Sequence, residues 1–419
     1  MINISHIRKR SGDVVPFETS KINEAIRGAH LQARGAINQV DIDDITKKVV
    51  QHLEEMYSDS KEDTVPSVED VQDIVEATLM EQGLYDVAKS YIIYRYEREK
   101  DRVQKKQEAA EKIEKDGLTI IKRSGEEATF SEEKLRASVE SFAEGLDNID
   151  VDRIVEQCRA ELYEDITTED IQKALVMVSR SFIEEEPDYS KLASRILIDS
   201  LYKSIIGEDR IDYDNLEKQH QVAFIAYIKK GVELEELDPK LLTFDLEEMS
   251  EKIDMERDKT FDYLATQTLY DRYFIRNSKT KEILETPQMF WMRVAMGLAI
   301  EEDDKEGKAK RFYDLLSNKD FVHSTPTLFN SGTTHPQLSS CYINTVDDDL
   351  EHIYKVVKDN AVMGKFSGGI GTDWTNVRAT GAYINSTGIE SQGLVPFLKI
   401  QNDSILAINR SGNRRAAGV

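Results

Sequence analysis

The sequence predicts two small α+β modules in tandem, each mostly helical with a short hairpin, then a helical region, then the first part of an α/β domain. Three observations lead there. A segment near the N-terminus recurs at a fixed offset. The stretch from about 207 to 320 carries apolar residues at helical spacing, and the stretch beyond it alternates short apolar runs with clusters of Ser, Thr, Gly and Asn.

The repeat sets the architecture of the first half. Lys9-Arg10-Ser11-Gly12 returns as Lys122-Arg123-Ser124-Gly125, and Phe17 with Lys21 returns as Phe130 with Lys134, at an offset of 113. Farther on, Glu69-Asp70-Val71-Gln72 returns as Glu169-Asp170-Ile171-Gln172 at an offset of 100, so the second copy is shorter by 13 residues, a difference expected in a connecting segment. Each copy opens with two extended runs around a Ser-Gly turn, His6 to Lys9 with Val14 to Phe17, and Thr119 to Lys122 with Ala128 to Phe130. Helices come next, with Ser20 and Ser131 as the expected caps and Ile154, Val155, Cys158 and Leu162 at helical spacing. Residues 101–117, rich in Lys, Glu and Gln, read as a solvated helical linker between the copies.

From 207 to 320 the expected core positions include Phe261, Leu264, Leu269, Tyr273, Phe290, Trp291, Val294 and Ala295. Beyond 320 the pattern is that of strands whose connecting loops carry function.

Composition narrows the function. The chain has 419 residues, room for about three domains of roughly 150 residues. It carries 40% hydrophobic and 32% charged residues, enough apolar surface for several cores. A net charge of -24, from 79 acidic against 55 basic side chains, opposes non-specific binding to nucleic acid, so bound phosphate must meet a local pocket. Cys158 and Cys341 are too few for a disulfide framework and lack zinc-site spacing, which fits a reducing cytoplasm. The N-terminus lacks an apolar signal core, and no stretch approaches the roughly 20 apolar residues that cross a bilayer, so neither export nor membrane insertion is expected.

Within each copy, basic residues on the hairpin (Lys9, Arg10; Lys122, Arg123) precede a helix start bearing Lys21 or Lys134, so cations and free amides could converge on phosphates. Surface decoration by the same lysines is the plainer alternative, and neither copy holds a Walker A loop or a dinucleotide fingerprint. In the second half, Thr325 and Ser340 offer directional hydroxyls suited to a diphosphate, or ordinary turn chemistry. Cys341 comes after two serines in a loop-like setting, whereas Cys158 falls on a helical core stripe and reads as an inert thiol. Asp347-Asp348-Asp349-Leu350 could be a solvated acidic turn, and Gly368-Gly369-Ile370-Gly371 a place of close backbone approach.

The repeated arrangement resembles the ATP-cone, the regulatory module of ribonucleotide reductases, over residues 4–100 and 118–206. The resemblance implies ATP contacts in the second copy at Lys122, Ala128, Thr129, Phe130, Ser131, Glu132, Glu133, Lys134, Thr168, Arg195 and Lys203. In the first copy the matching residues are Lys9, Val15, Pro16, Phe17, Glu18, Thr19, Ser20 and Lys21, with Arg95 and Arg98 on the last helix, but Val68 stands where the motif has a hydroxyl.

The segment His323-Ser324-Thr325-Pro326-Thr327-Leu328-Phe329-Asn330-Ser331-Gly332, leading to Ser339-Ser340-Cys341, resembles the catalytic domain of the class I large (alpha) subunit of the same enzyme. The resemblance implies that 207–320 is the helical N-terminal region and 321–419 the first part of an α/β ten-stranded barrel. It implies that Cys341 is one of two thiols that reduce the ribose and form a disulfide in each turnover, and that Thr325, Ser340, Gly369 and Arg414 meet substrate. Asp348, Asp349 and Leu350 would begin a specificity site for a deoxynucleoside triphosphate, with Arg378 on its phosphates. Arg410 and Asn385 depart from the family's usual glutamine and basic residue.

The same resemblance implies a ribonucleoside-diphosphate reductase making 2′-deoxyribonucleotides by a radical mechanism, with ATP or dATP and magnesium as activity effectors and no metal bound at the catalytic site of this chain. The implied partners are a radical-generating small (beta) subunit, thioredoxin or glutaredoxin as reductant, and further copies in a homo-oligomer. The radical cysteine and the second redox cysteine have no counterpart before Val419, so a complementary C-terminal large-subunit chain is expected, as for a split or truncated gene product, and the chain alone is expected to bind nucleotide without reducing ribose. Two alternatives stand beside this reading. A non-catalytic ATP-cone sensor should bring a zinc-ribbon cysteine cluster; a cobalamin-dependent (class II) reductase would need no small subunit.

Overall fold

The computed structural model describes residues 4, 6–9, 14–35, 39–57, 65–114, 117–207, 211–365, 368–385, 387–409 and 417–419, with side chains for all of these except 14–16, 39–41, 99, 101–103 and 409. Two compact units, Met1–Ser200 and Leu201–Val419, divide the chain.

In the first unit the order is β1 (His6–Arg8), β2 (Val14–Pro16), α1 (Thr19–Arg34), α2 (Gln39–Met56), α3 (Val68–Glu81), α4 (Tyr85–Ile113), β3 (Thr119–Ile121), β4 (Glu127–Thr129), α5 (Glu132–Ala143), α6 (Val151–Arg159), β5 (Ile166–Thr167), α7 (Thr168–Ser181) and α8 (Asp188–Ile206), inside which the division falls. The sequence repeat is a structural one. β3 pairs antiparallel with β4, Ile120 opposite Ala128, and parallel with β5, Ile121 opposite Thr167. In the first copy β1 pairs antiparallel with β2, Ile7 opposite Val15, and Arg8 bridges in parallel to Ser67, its amide donating to the Pro66 carbonyl at 2.8 Å. Ser67 and Thr167 then cap the next helices, accepting from the amides of Asp70 at 3.1 Å and Asp170 at 3.0 Å.

α3 and α7 have 14 residues each at the constant offset, whereas α1 has 16 against 12 in α5, and α2 has 18 against 9 in α6. Those two shortfalls account for the 13 missing residues. The second copy is therefore trimmed inside its helices and not in a connecting segment, because a helix can lose turns at its far end while its hairpin end keeps its contacts. Ser131 caps α5 by accepting from the Lys134 amide at 3.2 Å. Ser20 caps nothing in this way: it lies in the first turn of α1, whose N-cap position is Glu18, the residue 113 before Ser131.

The segment between the copies is helical, as expected, but solvated on one side only. α4 runs through to Ile113, burying Ala109 and Ile113, while Lys106 reaches Glu161 at 2.7 Å and Lys112 reaches Glu164 at 3.0 Å. A charged stretch with an apolar residue every fourth position is solvated on one side only. Ile26, Ile42, Leu53 and Leu79 centre the core of the first copy, and Ile154, Val155, Cys158, Leu162 and Ile196 are equally buried in the second.

The second unit holds α9 (Leu216–Glu233), α10 (Leu246–Glu251), α11 (Tyr263–Thr268), α12 (Pro287–Ala299), α13 (Lys305–Ser317), α14 (Thr325–Asn330), β6 (Cys341–Thr345), α15 (Leu350–Lys365), β7 (Gly369–Asp373), β8 (Tyr383–Ile384), β9 (Ile389–Glu390) and α16 (Val395–Asn409). Pro287 starts α12, with Thr286 accepting from the Met289 amide at 3.4 Å, and the helix is buried almost all round, from Met289 to Met296. Leu264 is 74% exposed, against expectation: it lies in the first turn of α11, a helix of six residues that buries Thr266 instead and runs into the π-helical turn Leu269–Tyr273.

β6 and β7 pair in parallel from Cys341 opposite Gly369 to Thr345 opposite Asp373. Residues 417–419 lie on the other side of β7, with Ile370 donating to the Ala417 carbonyl and accepting from the Val419 amide, both at 2.8 Å. α15 and α16 pack together, and α15 covers β7. Parallel segments joined through helices are the start of an α/β layer, and among the described residues this sheet is open. No helix of the described residues is long and apolar enough to cross a membrane.

Candidate functional site

The second unit builds its polar site on a fully buried ion pair. Arg293 on α12 donates to both carboxylate oxygens of Glu285, at 2.9 and 3.0 Å, and Tyr227 adds a hydrogen bond to the same carboxylate. The remaining Arg293 donor reaches the Ser331 carbonyl at 2.6 Å and the Leu328 carbonyl at 3.3 Å, so the pair clamps the end of α14. Ser331 donates to the Val294 carbonyl at 2.8 Å, and Gly332, at φ +74°, sits so close to Gly297 that no side chain fits between them. Tyr273, at the end of the π-turn, stacks on Phe329 at 4.6 Å and lies within 3.2 Å of the Thr325 hydroxyl.

α14 in turn holds the approach to β6. Thr327 donates to the Leu338 carbonyl at 2.9 Å and Asn330 to the Gln337 carbonyl at 2.8 Å. Two residues on, Ser340 and Cys341 enter the sheet: the Gly369 amide donates to the Ser340 carbonyl at 2.7 Å, and a Cβ on Gly369 would stand 3.9 Å from the Cys341 sulfur. The expected residues thus take more regular positions than the loop-like pattern suggests. Thr325 is in the first turn of a helix, Cys341 is the first residue of a strand and exposed, and Gly369 is its parallel partner. Cys158 is the opposite case, a buried thiol pushed up to about 12 by desolvation.

Asp348 and Arg378 are brought together: the Arg378 side chain donates to both Asp348 oxygens, at 2.8 and 2.9 Å, and its hydrogen bonds hold the Asp348 carboxyl below the usual range. Asp349 accepts from the His352 amide at 3.0 Å ahead of α15, and Leu350 opens that helix, exposed. Arg414 lies outside the described residues, as do the side chains of Val15 and Pro16.

In the second copy of the repeat, the parallel pairing of β3 with β5 sets Lys122 beside the start of α7, where Thr168 comes directly after the cap. Arg123 reaches across to α7 and α8, donating to Gln172 at 3.2 Å and to the Ser200 hydroxyl at 2.8 Å, while Gln172 donates to Asp199 at 2.7 Å. Arg195 donates to the carbonyls of Phe142 and Glu144, at 2.8 and 2.7 Å, past the end of α5. Lys134 lies in the first turn of α5 and Lys203 in the last turn of α8. In the first copy Arg95 pairs with Asp73 at 2.6 Å and Glu76 at 2.8 Å, Arg98 lies over the Tyr94 ring, and Lys21 pairs with Glu18 at 3.2 Å.

Sequence reasoning passed over Gln172, Asp199, Ser200, Tyr227 and Glu285 and took Tyr273 for core alone. Only Gln172 left a signal, as the last residue of the repeated Glu-Asp-Val/Ile-Gln run.

Comparison with known proteins covers both units. The ATP cone domain model matches residues 5–100 and again 118–204. The models of the ribonucleotide reductase all-alpha domain and barrel domain match 259–336 and 339–419. The chain is 40% identical over 429 residues to the ribonucleoside-diphosphate reductase subunit alpha of Chlamydia pneumoniae, covering 99% of this chain and 40% of that protein. It is 38% identical to the protein of the same name from Chlamydia trachomatis serovar D, with 98% and 39% covered, and 35% identical over 301 residues to that of Helicobacter pylori strain 26695, with 72% and 37% covered. Tandem ATP cone domains, an all-alpha domain and a barrel domain thus match in this order along the chain. The chain belongs to the ribonucleotide reductase large-subunit family, and it spans about two fifths of the length of these curated relatives.

Proposed function

We propose that this chain forms the regulatory and substrate-entry part of a class I ribonucleoside-diphosphate reductase. The observation that carries the reading is the exposed Cys341 thiol at the head of β6, framed by a glycine and approached over a helix that the Arg293–Glu285 pair holds in place. A reductive thiol needs access and a fixed position; burial would raise its pKa and disable it.

In the proposed reaction Cys341 and a second cysteine from the rest of the barrel lose two hydrogens and become a disulfide, while the ribose 2′-hydroxyl leaves as water and carbon 2′ takes hydrogen. Gly369 leaves room for the ribose beside the sulfur. Thr325 and Ser340 offer hydroxyls to the diphosphate without adding charge, and Arg414 also meets the substrate. Asp348, Asp349, Leu350 and Arg378 form the deoxynucleotide specificity site, where the effector's phosphates would compete with Asp348 for Arg378. ATP or dATP, with magnesium, acts at the tandem repeat. A beta subunit supplies the radical, and thioredoxin or glutaredoxin restores the thiols.

The test uses the 419-residue chain alone and together with the remaining part of the barrel and a beta subunit. The chain alone is expected to bind dATP and reduce no CDP; the completed enzyme is expected to reduce CDP, and Cys341→Ser to abolish turnover while leaving dATP binding intact. Turnover retained by Cys341→Ser would overturn the assignment.

A further inference from the structure

We propose that nucleotide binding by the tandem repeat is confined to its second copy, and that the first is a silent copy whose arginine is neutralised from within. The inference rests on the reading of the repeats as nucleoside triphosphate modules and deepens it. Because the copies share topology and register, their hairpins and the helices α3 and α7 can be compared position by position. α3 and α7 align over all 14 residues, and their charges differ. α3 carries Glu69, Asp70, Asp73, Glu76 and Glu81 with no base; α7 carries Glu169 and Asp170 against Lys173 and Arg180. The helix offered to a polyphosphate is strongly acidic in one copy and neutral in the other, and like charges at close range disfavour binding.

The arginines show the same asymmetry at close quarters. Arg95 donates to Asp73 and Glu76 at 2.6 and 2.8 Å, and the Glu76 and Asp73 hydrogen bonds hold it more firmly cationic than usual. Those carboxylates occupy an arginine as phosphate oxygens would. At the positions equivalent to Asp73 and Glu76 the second copy has Lys173 and Val176, and Arg195, three residues nearer the start of its helix than Arg95, donates to two backbone carbonyls. At the helix start, Thr168 offers a hydroxyl where Val68 offers methyl groups. The net charge of the two helices and the hydroxyl at Thr168 point the same way, although Lys9 and Lys122 are common to both copies, Lys122 pairs with Glu126 at 3.1 Å, and Lys173 pairs with Glu169 at 2.9 Å and Asp170 at 3.2 Å.

The experiment is equilibrium dialysis of the full 419-residue chain with labelled dATP, with excess dTTP present to fill the separate deoxynucleotide site. One dATP per chain is expected. Lys122→Ala should weaken it at least about tenfold, the loss of one charge-assisted phosphate contact, and Lys9→Ala should leave it unchanged. Both lysines are exposed, so folding should survive; Thr168→Val, which copies the first repeat into the second, gives an independent loss. Two dATP per chain, or a loss with Lys9→Ala equal to that with Lys122→Ala, overturns the inference and leaves the module reading standing. No dATP binding by the unaltered chain overturns both.

Discussion

Without the Glu285 carboxylate, the Arg293 guanidinium would be buried against carbonyls alone, at Ser331 and Leu328. Breaking one side of such a pair costs about 3–5 kcal/mol, more than its net contribution, because a bare charge is stranded. Glu285→Gln should lower the unfolding free energy of the second unit by that order and loosen α14; an unfolding free energy within about 1 kcal/mol of the parent would show the pair to be dispensable. Asp258 makes a different prediction. Burial pushes its carboxyl up to about 7, against hydrogen bonds from Tyr202 at 2.5 Å and Gln288 at 2.7 Å. The folded chain keeps a proton there that the unfolded chain releases above 3.8, so this group's contribution to stability is present at low pH and lost as pH rises toward 7. His220, pushed down to about 3 by burial, acts in the opposite sense: its contribution is lost as pH falls below 6.5, when the unfolded chain binds a proton that the folded one does not. Asp258→Asn should therefore gain on the parent in urea titrations as pH rises from about 4 to about 7; parallel profiles would refute the buried proton. None of these residues stood out in the sequence, since an arginine, an aspartate or a histidine inside a helical pattern has no local mark of being buried.

At the scale of elements, the contact between α12 and the end of α14 is set by two glycines. A Cβ on Gly297 would stand 2.1 Å from the Gly332 nitrogen and 2.4 Å from the Ser331 hydroxyl, both fixed by neighbours. Gly297→Ala should cost about 1–3 kcal/mol by overpacking and should also depress turnover in the completed enzyme, because α14 carries Thr325 and steadies the approach to Cys341. An alanine variant with parent-like stability and turnover would show that α12 and α14 can part at no cost. The hairpins and the caps at Ser131 were legible because turn and cap chemistry is local. Ser20 was misplaced because α1 opens on a glutamate, two residues earlier, and Cys341 was read as loop because nothing nearby in sequence reveals a parallel partner 28 residues away. Long-range pairing is what local pattern omits.

For the whole molecule, the order of parts was legible because a repeat and two motifs marked it. The internal shortening of α5 and α6 was not, since removing turns from a helix leaves the surrounding motifs in place. One consequence of the parallel sheet concerns the order in which the chain folds. Cys341 meets Gly369 across 28 residues, and Ile370 meets Gly418 across 48, with α15 in the first span and α16 in the second. Closing such spans delays pairing relative to local helices. In a Trp291→Phe chain, where Trp374 is the remaining tryptophan and packs with Val346, Ile353 and Val356, its fluorescence should recover after the far-ultraviolet helical signal during refolding; simultaneous recovery would sink this ordering. On the ribosome the same delay leaves Cys341 on an unpaired segment until its crossover has closed, so the thiol meets the oxidants of the cell before the strand that frames it exists.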